Sequence, residues 1–594
     1  MSTQTSSPIV AAAGGGFLLR SQTPAEIFTP EDLNEEQRQI AATAAQFARE
    51  RILPHTAAIE ARQPGVLAGL LREAAELGFT AVDIPEEYGG MGMDKTCSTL
   101  ITDHLSVLPS FSAAFGAHIG IATLPLVWYG SEEQKRRYLP KLASAEWIGA
   151  YGLSEASSGS DAMNIRARAT LSADGGEYAL KGEKQWVTNG GIAGLFTVFA
   201  KIDGEKFSAF LVERGTPGLT VGAEERKLGI HGSSTCPLLL DNCNVPAANL
   251  LGEPGKGHRI AFNVLNIGRF KLGAACVGGA RQALGQMIGY ATERHAFGKS
   301  IAEFGLIQRK ISACATRLYA AESMVYRTVG MIDGRGGDAA PPGESRRRFE
   351  ELAIECSILK VYGSEMLALT ADELVATMGG YGYVEDYPAE RCYRDARINR
   401  IFEGTNEINR LIITGWLLKR ATSGELPLLP AIQRLMNEVT APPSLDAGAC
   451  EGEPLAREGE ALAAAKKIAL FAAGAASQRY MAALQEEQET MADLADIVMQ
   501  VYALESALLR ARKLAGEGRK TAAAAAQLTG LLADESIGMV EQAARRVLAA
   551  SAEGDLLRTQ LAILRRLTRV APANSVALSR AVARRAIELG RYPL

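Results

Sequence analysis

Metal-ligand spacings, paired cysteines and long uninterrupted apolar runs are all missing from this 594-residue chain. The eight cysteines, at 97, 236, 243, 276, 314, 356, 392 and 450, form no C-x-x-C pair, and the six histidines form no H-E-x-x-H. That dispersion argues against a metal centre or a disulfide framework, and a reducing cytoplasm is the expected setting. No stretch of about 18 consecutive apolar residues occurs, so no membrane-spanning helix is expected; even 458–484 is broken by Lys466, Lys467 and Arg479. An excess of one charge sign is missing as well: 63 Lys and Arg against 67 Asp and Glu leave a net charge of -4, which provides no global field for nucleic acid, and none is expected as a partner. Aromatic residues are only 6%, which with abundant alanine implies closely packed helices. The first 16 residues end in A-A-A-G-G-G without the basic start or apolar centre of a secretory signal, and 1–30 is expected to be a disordered or extended tail.

The chain is long enough for several structural units at roughly 100 to 200 residues each. Over 31–148 apolar residues recur at helical spacing, as in Ile40, Ala44, Phe47, Ala48 and Ile52, which predicts an N-terminal helical domain. Over 149–256 the pattern changes to short β-rich runs separated by Gly, Asp and Asn, which predicts a small sheet domain. Helical periodicity returns over 257–425, interrupted by a Gly/Pro-rich loop at 334–343. A linker rich in Ala, Pro and Gly (441–454) lies within a last unit, 431–594, expected to be an additional helical bundle. The fold class is therefore mainly α with a small β domain.

Three local signals carry chemistry. G-L-S-E-A-S-S-G-S-D at 152–161 frees backbone N–H groups and adds hydroxyl donors, although a Gly/Ser loop is usually only a loop. K-Q-W-V-T-N-G-G at 184–191 offers Trp186 to stack on a flat ring and Thr188 to hydrogen-bond it, although a strand tryptophan is more often core. In R-I-F-E-G-T-N-E-I-N-R-L at 400–411, Glu403 lies between Phe402 and Gly404, where an apolar wall can raise its pKa and a ligand can come close. Taken alone, Glu403 reads equally as an acid preceding a helix. F-G-K-S at 297–300 lacks the upstream glycine of a phosphate loop, and G-G-Y-G-Y at 379–383 lacks dinucleotide-fold spacing.

In this order, and within a helix–sheet–helix frame, the three signals resemble the acyl-CoA dehydrogenase family over about residues 30–425. Segments such as V-L-N-I-G-R-F (264–270), E-F-G-L-I-Q (303–308) and T-M-G-G-Y-G (377–382), with the C-terminal extension, look most like the very-long-chain branch, usually a homodimer. The resemblance implies an N-terminal helical domain, a middle β-barrel-like domain, a four-helix bundle and an extra helical bundle. It implies FAD as cofactor, lined by Tyr151, Leu153, Ser154, Gly159 and Ser160, with Trp186, Val187 and Thr188 covering the ring. Arg294 and Gly380 would reach the pyrophosphate or adenosine, often from the neighbouring subunit, and Thr405, Asn406 and Glu407 would close over the flavin. Ser160, Asn266, Gly268, Arg269, Phe402 and Gly404 would meet the acyl-CoA. Ala296 and Ala376 stand where other members often place a polar flavin contact, so those contacts are expected to be lost. One branch carries its base at the position of Gly268, which here cannot serve.

By that resemblance Glu403 is the catalytic base. It removes the α-proton while the β-hydrogen leaves as hydride to flavin N5, giving trans-2-enoyl-CoA in fatty acid β-oxidation, with electron-transferring flavoprotein as acceptor. Phe115-Gly116-Ala117 stands where medium-chain members place a bulkier polar residue, and the small floor this implies leaves the tunnel open to an acyl chain of about C12 or longer. The alternatives are an oxygen-using relative such as an acyl-CoA oxidase, or a non-enzymatic assembly or DNA-associated flavoprotein. In the extension, Leu557, Leu561, Leu564 and Leu567 form an apolar stripe flanked by arginines, a pattern shared by peripheral membrane helices and ordinary bundle helices.

Overall fold

A computed structural model of the chain describes residues 14–335, 345–440 and 455–594; most of the Gly/Pro-rich loop, the 441–454 linker and Cys450 lie outside them. The N-terminal layer contains helices Glu35–Phe47, Val66–Glu76, Lys95–Leu105, Pro109–Gly116 and Glu132–Ala143. Its helix starts are written in side chains. Asn34 accepts from the Gln37 N–H at 2.8 Å while the Gln37 side chain returns to Asn34, and Ser131 with Gln134 repeats the arrangement.

The sheet runs Leu219–Val221, Thr235–Pro246, Glu177–Thr188, Arg168–Leu171, Leu195–Ile202, Lys206–Glu213 and Leu250–Leu251 in spatial order, with Gly149–Gly152 pairing in parallel with Leu195–Ile202. Glu177–Thr188 pairs antiparallel with Thr235–Pro246, and their register shifts between Lys184 and Val187. That irregularity forces Trp186 to a φ of 57° and turns it outward, 57% exposed, while Val187 returns to the core.

Four long helices follow: Gly257–Glu293, Gly305–Ile332, Ala353–Met378 and Asn406–Ser423. The first and third pack closely because glycine occupies their contact line; a Cβ at Gly273 would lie 2.9 Å from Leu359 Cβ. Two helical stretches, 109–129 and Gly257–Glu293, are long and apolar enough to cross a membrane, but 72% and 78% of their apolar windows are buried inside the protein.

The extension adds helices Ala456–Tyr480, Gln488–Gly516, Ala522–Ser551, Gly554–Leu567 and Ser575–Leu589. Helix Gln488–Gly516 lies on both Gly305–Ile332 and Asn406–Ser423, where Tyr319 Oη donates to the Ala507 carbonyl at 3.0 Å and Arg410 pairs with Asp496 at 2.7 Å. The leucine stripe turns inward: Leu564 is fully buried, and Leu557, Leu561 and Leu567 pack against the core.

The tail expectation is corrected for residues 14–30. They form short 3₁₀ turns, and Phe17 packs on Tyr502 with ring centroids 4.7 Å apart. Next to them Glu31 pairs with buried Arg510 at 2.7 Å, and Asp32 with Lys513 at 2.6 Å. Burying a phenylalanine side chain contributes about 1.5–3 kcal/mol, enough to order a segment whose partner lies at the other end of the sequence.

Candidate functional site

A cavity of about 160 Å³ starts at Glu403 and runs along the long helix Gly257–Glu293, past Gly268, Leu272, Ala275, Gly279, Ala283 and Gln286. At 1.5 Å per residue that face is roughly 27 Å long. The opposite wall is Ser112, Ala113, Gly116, Ala117 and Gly120, the last two in a π-helical turn, Ala117–Ala122, that widens the helix locally. Phe115 leaves the cavity free; it is buried against Phe111. The wall is therefore small and largely apolar, as the sequence predicted at 115–117.

Glu403 sits at the head of this tunnel with Phe402 beside it. Its φ is 58° and that of Gly404 is 79°, so the turn before helix Asn406–Ser423 is left-handed at two successive residues. A left-handed glutamate is strained by about 1–3 kcal/mol and persists only where its surroundings hold it. Three groups do so. Arg269 Nε donates to the Glu403 carbonyl at 3.2 Å, Asn409 Nδ2 donates to the carbonyls of Glu403, Gly404 and Thr405 at 3.2, 2.9 and 3.0 Å, and Thr405 caps the helix by accepting from the Ile408 N–H at 3.2 Å. The strain aims the carboxylate into the cavity instead of along the helix end, which decides against the helix-acid reading.

Glu403 Oε2 is buried with no hydrogen-bond partner among the described residues. Burial pushes the carboxyl up to about 7, opposed by the charges of Arg269 and Lys360. A carboxylate poised there suits proton removal near neutral pH. Gly268 makes the space: a Cβ at that position would lie 2.7 Å from Glu403 Cδ and closer still to Oε2.

Other predicted residues divide into groups. Thr188 and Phe402 line the cavity with Glu403. Tyr151 is close enough for Glu403 to raise its hydroxyl further above the range already set by burial, and that hydroxyl is buried without a partner. Leu153 and Val187 are buried; Ser154 is half-buried, and Gly159, Ser160, Trp186 and Glu407 are exposed. Asn266 is buried, and its Oδ1 accepts from Arg269 at 2.9 Å. Asn406 is buried and fully engaged, with Lys360, Ser364 and Glu365 around its amide. Arg294 and Gly380 are not brought to Glu403. They line a separate cleft with Tyr290, Thr377 and Tyr381, where the Arg294 guanidinium lies 5.8 Å from the Tyr381 ring.

Lys360 was missed, since a lysine in the pattern I-L-K-V-Y has no local mark of burial. Asn409 carried a readable signal, four residues after the Thr405 cap and within the same quoted motif.

The sequence matches the acyl-CoA dehydrogenase N-terminal domain over residues 34–146, the middle domain over 150–243, the C-terminal domain over 255–418, and a further acyl-CoA dehydrogenase C-terminal domain over 464–566. It is 47% identical over 587 residues to a probable acyl-CoA dehydrogenase of Bacillus subtilis, covering 98% of both chains. It is 34% identical over 523 residues to the mitochondrial very long-chain specific acyl-CoA dehydrogenase of Homo sapiens, covering 83% of this chain and 77% of that one. The structure superposes on an acyl-CoA dehydrogenase from Bacillus anthracis complexed with FAD with a TM-score of 0.95 and 46% identity, covering 98% of this chain and all of the other. A butyryl-CoA dehydrogenase from Megasphaera elsdenii gives a TM-score of 0.59 at 32% identity over 65% of this chain, as expected where the last bundle has no counterpart. The tunnel headed by Glu403, the helix–sheet–helix frame and full-length similarity together place this chain in the acyl-CoA dehydrogenase family.

Proposed function

We propose that the protein is an FAD-dependent dehydrogenase of long-chain acyl-CoA thioesters, acting in fatty acid β-oxidation, with Glu403 as the base. The observation that carries this reading is the unpartnered Glu403 Oε2 at the head of a tunnel lined along its two helices mainly by small and apolar residues, with Lys271, Gln282, Arg391 and Asp395 also on the lining. The residues expected around FAD fit it: the Tyr151 hydroxyl is buried and unpartnered, Trp186 stands exposed at a strained bulge, and Gly159 and Gly380 have nothing within 4 Å of where a Cβ would lie. When bound, FAD supplies the acceptor for the hydrogen lost from Cβ.

The chain's own residues do the rest. The tunnel buries the acyl tail and places Cα at the Glu403 carboxylate, which takes the α-proton. The Glu403 N–H has no hydrogen-bond partner among the described residues and is free to donate to the thioester carbonyl, where negative charge develops. Arg269 and Asn409 keep that N–H and the carboxylate on the same side by holding the turn's carbonyls. The Ser160 loop, Asn266, Gly268 and Arg269 are the proposed CoA-side contacts.

A homodimer is the proposed assembly, supported by the apolar groups exposed in and around the Arg294–Gly380 cleft, among them Phe297, Tyr381 and Tyr383. Electron-transferring flavoprotein is the proposed acceptor. Contact of the extension with an anionic membrane would be electrostatic, because its leucine stripe packs against the core. The structural role of the extension is the favoured reading, so no salt-sensitive co-sedimentation with anionic vesicles is expected; binding at low salt that is lost at high salt would overturn it in favour of a peripheral membrane contact.

Anaerobic titration of the FAD-loaded enzyme with acyl-CoAs from C4 to C20 tests the function. Bleaching of the flavin is expected, with an optimum at C12 or above. Each added methylene contributes about 0.8 kcal/mol, roughly fourfold in affinity, until the tunnel ends. An optimum at C4 to C8 would overturn the long-chain reading, and absence of bleaching with every chain would overturn the reaction.

A further inference from the structure

Lys360 lies on helix Ala353–Met378 with no exposed surface. Its Nζ donates to Asn406 Oδ1 at 2.7 Å, and among the described residues no carboxylate comes within ion-pair distance of it. A buried ammonium without a contact anion is costly, and it persists where its field or its hydrogen bond serves the surrounding structure. Both serve here. Asn406 is the first residue of helix Asn406–Ser423, three positions beyond Glu403, and its Nδ2 is also fixed by Ser364 Oγ at 3.1 Å and Glu365 Oε1 at 3.0 Å. The clamp thus anchors the far side of the left-handed Glu403–Gly404 turn, while Arg269 and Asn409 anchor its carbonyls.

The charged and titratable groups facing Lys360 are few. The long helix brings Cys276 and Arg269, and the turn with its helix brings Glu403 and Glu407. Burial lowers Lys360 to about 8, with Cys276, Glu403 and Glu407 opposing that shift, and Lys360 in turn draws Glu403 downward against its own burial. Around Glu403 the remaining neighbours are Arg269 and the neutral Tyr151 hydroxyl.

We propose that Lys360 is a positioning residue for the reaction: through its hydrogen bond to Asn406, three residues beyond Glu403, it fixes the turn that carries the base, and its buried charge acts on the carboxylate that this turn presents. The inference rests on the reading of Glu403 as the base. A structural lysine would do the first of these alone. The sign of the second follows from electrostatics, since removing a nearby positive charge makes the carboxylate easier to protonate. The base is then lost below neutrality and recovered as pH rises.

The test is the pH profile of flavin reduction in single turnovers of the FAD-loaded full chain with palmitoyl-CoA, comparing wild type with Lys360→Gln, Lys360→Met and Lys360→Arg. Wild type is expected to gain rate through a midpoint near 7. Lys360→Gln keeps a donor without the charge, and its midpoint is expected to rise by about one unit, a loss of about tenfold at pH 6 that shrinks above pH 8. Lys360→Arg is expected to stay within threefold of wild type at each pH. A Lys360→Gln profile that keeps the wild-type midpoint, whether its rate is unchanged or reduced equally at all pH values, overturns the proposal. If Lys360→Met fails to retain FAD, Lys360→Gln alone decides. Glu403→Gln measured in parallel separates the two readings: if it reduces flavin at the wild-type rate, the base assignment fails, whereas a silent Glu403→Gln beside an unshifted Lys360→Gln removes only the role of Lys360.

Discussion

Replacing Glu403 by Gln is expected to slow flavin reduction by about 10⁴-fold while FAD and acyl-CoA remain bound, the loss typical of removing a positioned general base. Gln has nearly the same volume and keeps the backbone that Arg269, Asn409 and the Thr405 cap hold in place, so the turn survives. What disappears is a group able to accept a proton. The backbone N–H remains available to the thioester carbonyl, so affinity for acyl-CoA changes little and the loss falls on the chemical step. Stopped-flow bleaching under anaerobic conditions with a C16 acyl-CoA measures it. A residual rate within tenfold of wild type would sink the assignment and point instead to Asp395, the other carboxylate that lines the cavity, whose Oδ1 accepts from the Ile230 N–H while its Oδ2 is buried without a partner among the described residues.

The second large effect is expected from Gly268→Ala, which leaves Glu403 unchanged. The added methyl would occupy the space of the Glu403 carboxyl group, 2.7 Å from Cδ. Gly268 lies within the 37-residue helix Gly257–Glu293, whose backbone is held by its own hydrogen bonds and by packing along Leu359, so the carboxylate moves and the helix does not. A displacement of about 1 Å in a reacting group costs on the order of 10²-fold in rate. The FAD spectrum and melting temperature are expected to stay near wild type, because alanine is favoured over glycine in a helix. A variant with full activity would mean that the carboxylate does not occupy the place seen here.

Most of the architecture was legible in the chain because it rests on periodicity. The apolar positions of the N-terminal layer, the β-rich runs between Trp186 and Leu240, and the alanine-rich last bundle each carry a repeating local signal. Glu403 was legible for a different reason: its neighbours Phe402 and Gly404 already describe an apolar wall and a close approach. What remained hidden depends on residues far apart in sequence. Phe17 looks like the end of a glycine-rich tail until Tyr502 is beside it. Lys360 looks like any helical lysine until its burial against Asn406 is seen. The resemblance gave Asn266 and Arg269 a place beside the CoA but not their further role: Arg269, held by Asn266, also supports the Glu403 carbonyl. Arg294 and Gly380, expected by resemblance to reach the far end of the cofactor, often from a neighbouring subunit, lie in a cleft separate from Glu403.

The position of the last bundle has a consequence for symmetry. Helix Gln488–Gly516 occupies a face of Gly305–Ile332 and of Asn406–Ser423 with the chain's own side chains, and the segment from Phe17 to Asp32 seals that seam through Tyr502, Arg510 and Lys513. A two-fold axis relating two copies cannot pass through a face already filled in this way. Exposed aromatic surface remains around Phe297, Tyr381 and Tyr383, beside the Arg294–Gly380 cleft. The extension therefore covers the face of Gly305–Ile332 and Asn406–Ser423 without any second copy. It fills a face of the four-helix core from within the chain, so the homodimer proposed above has to form through other surfaces.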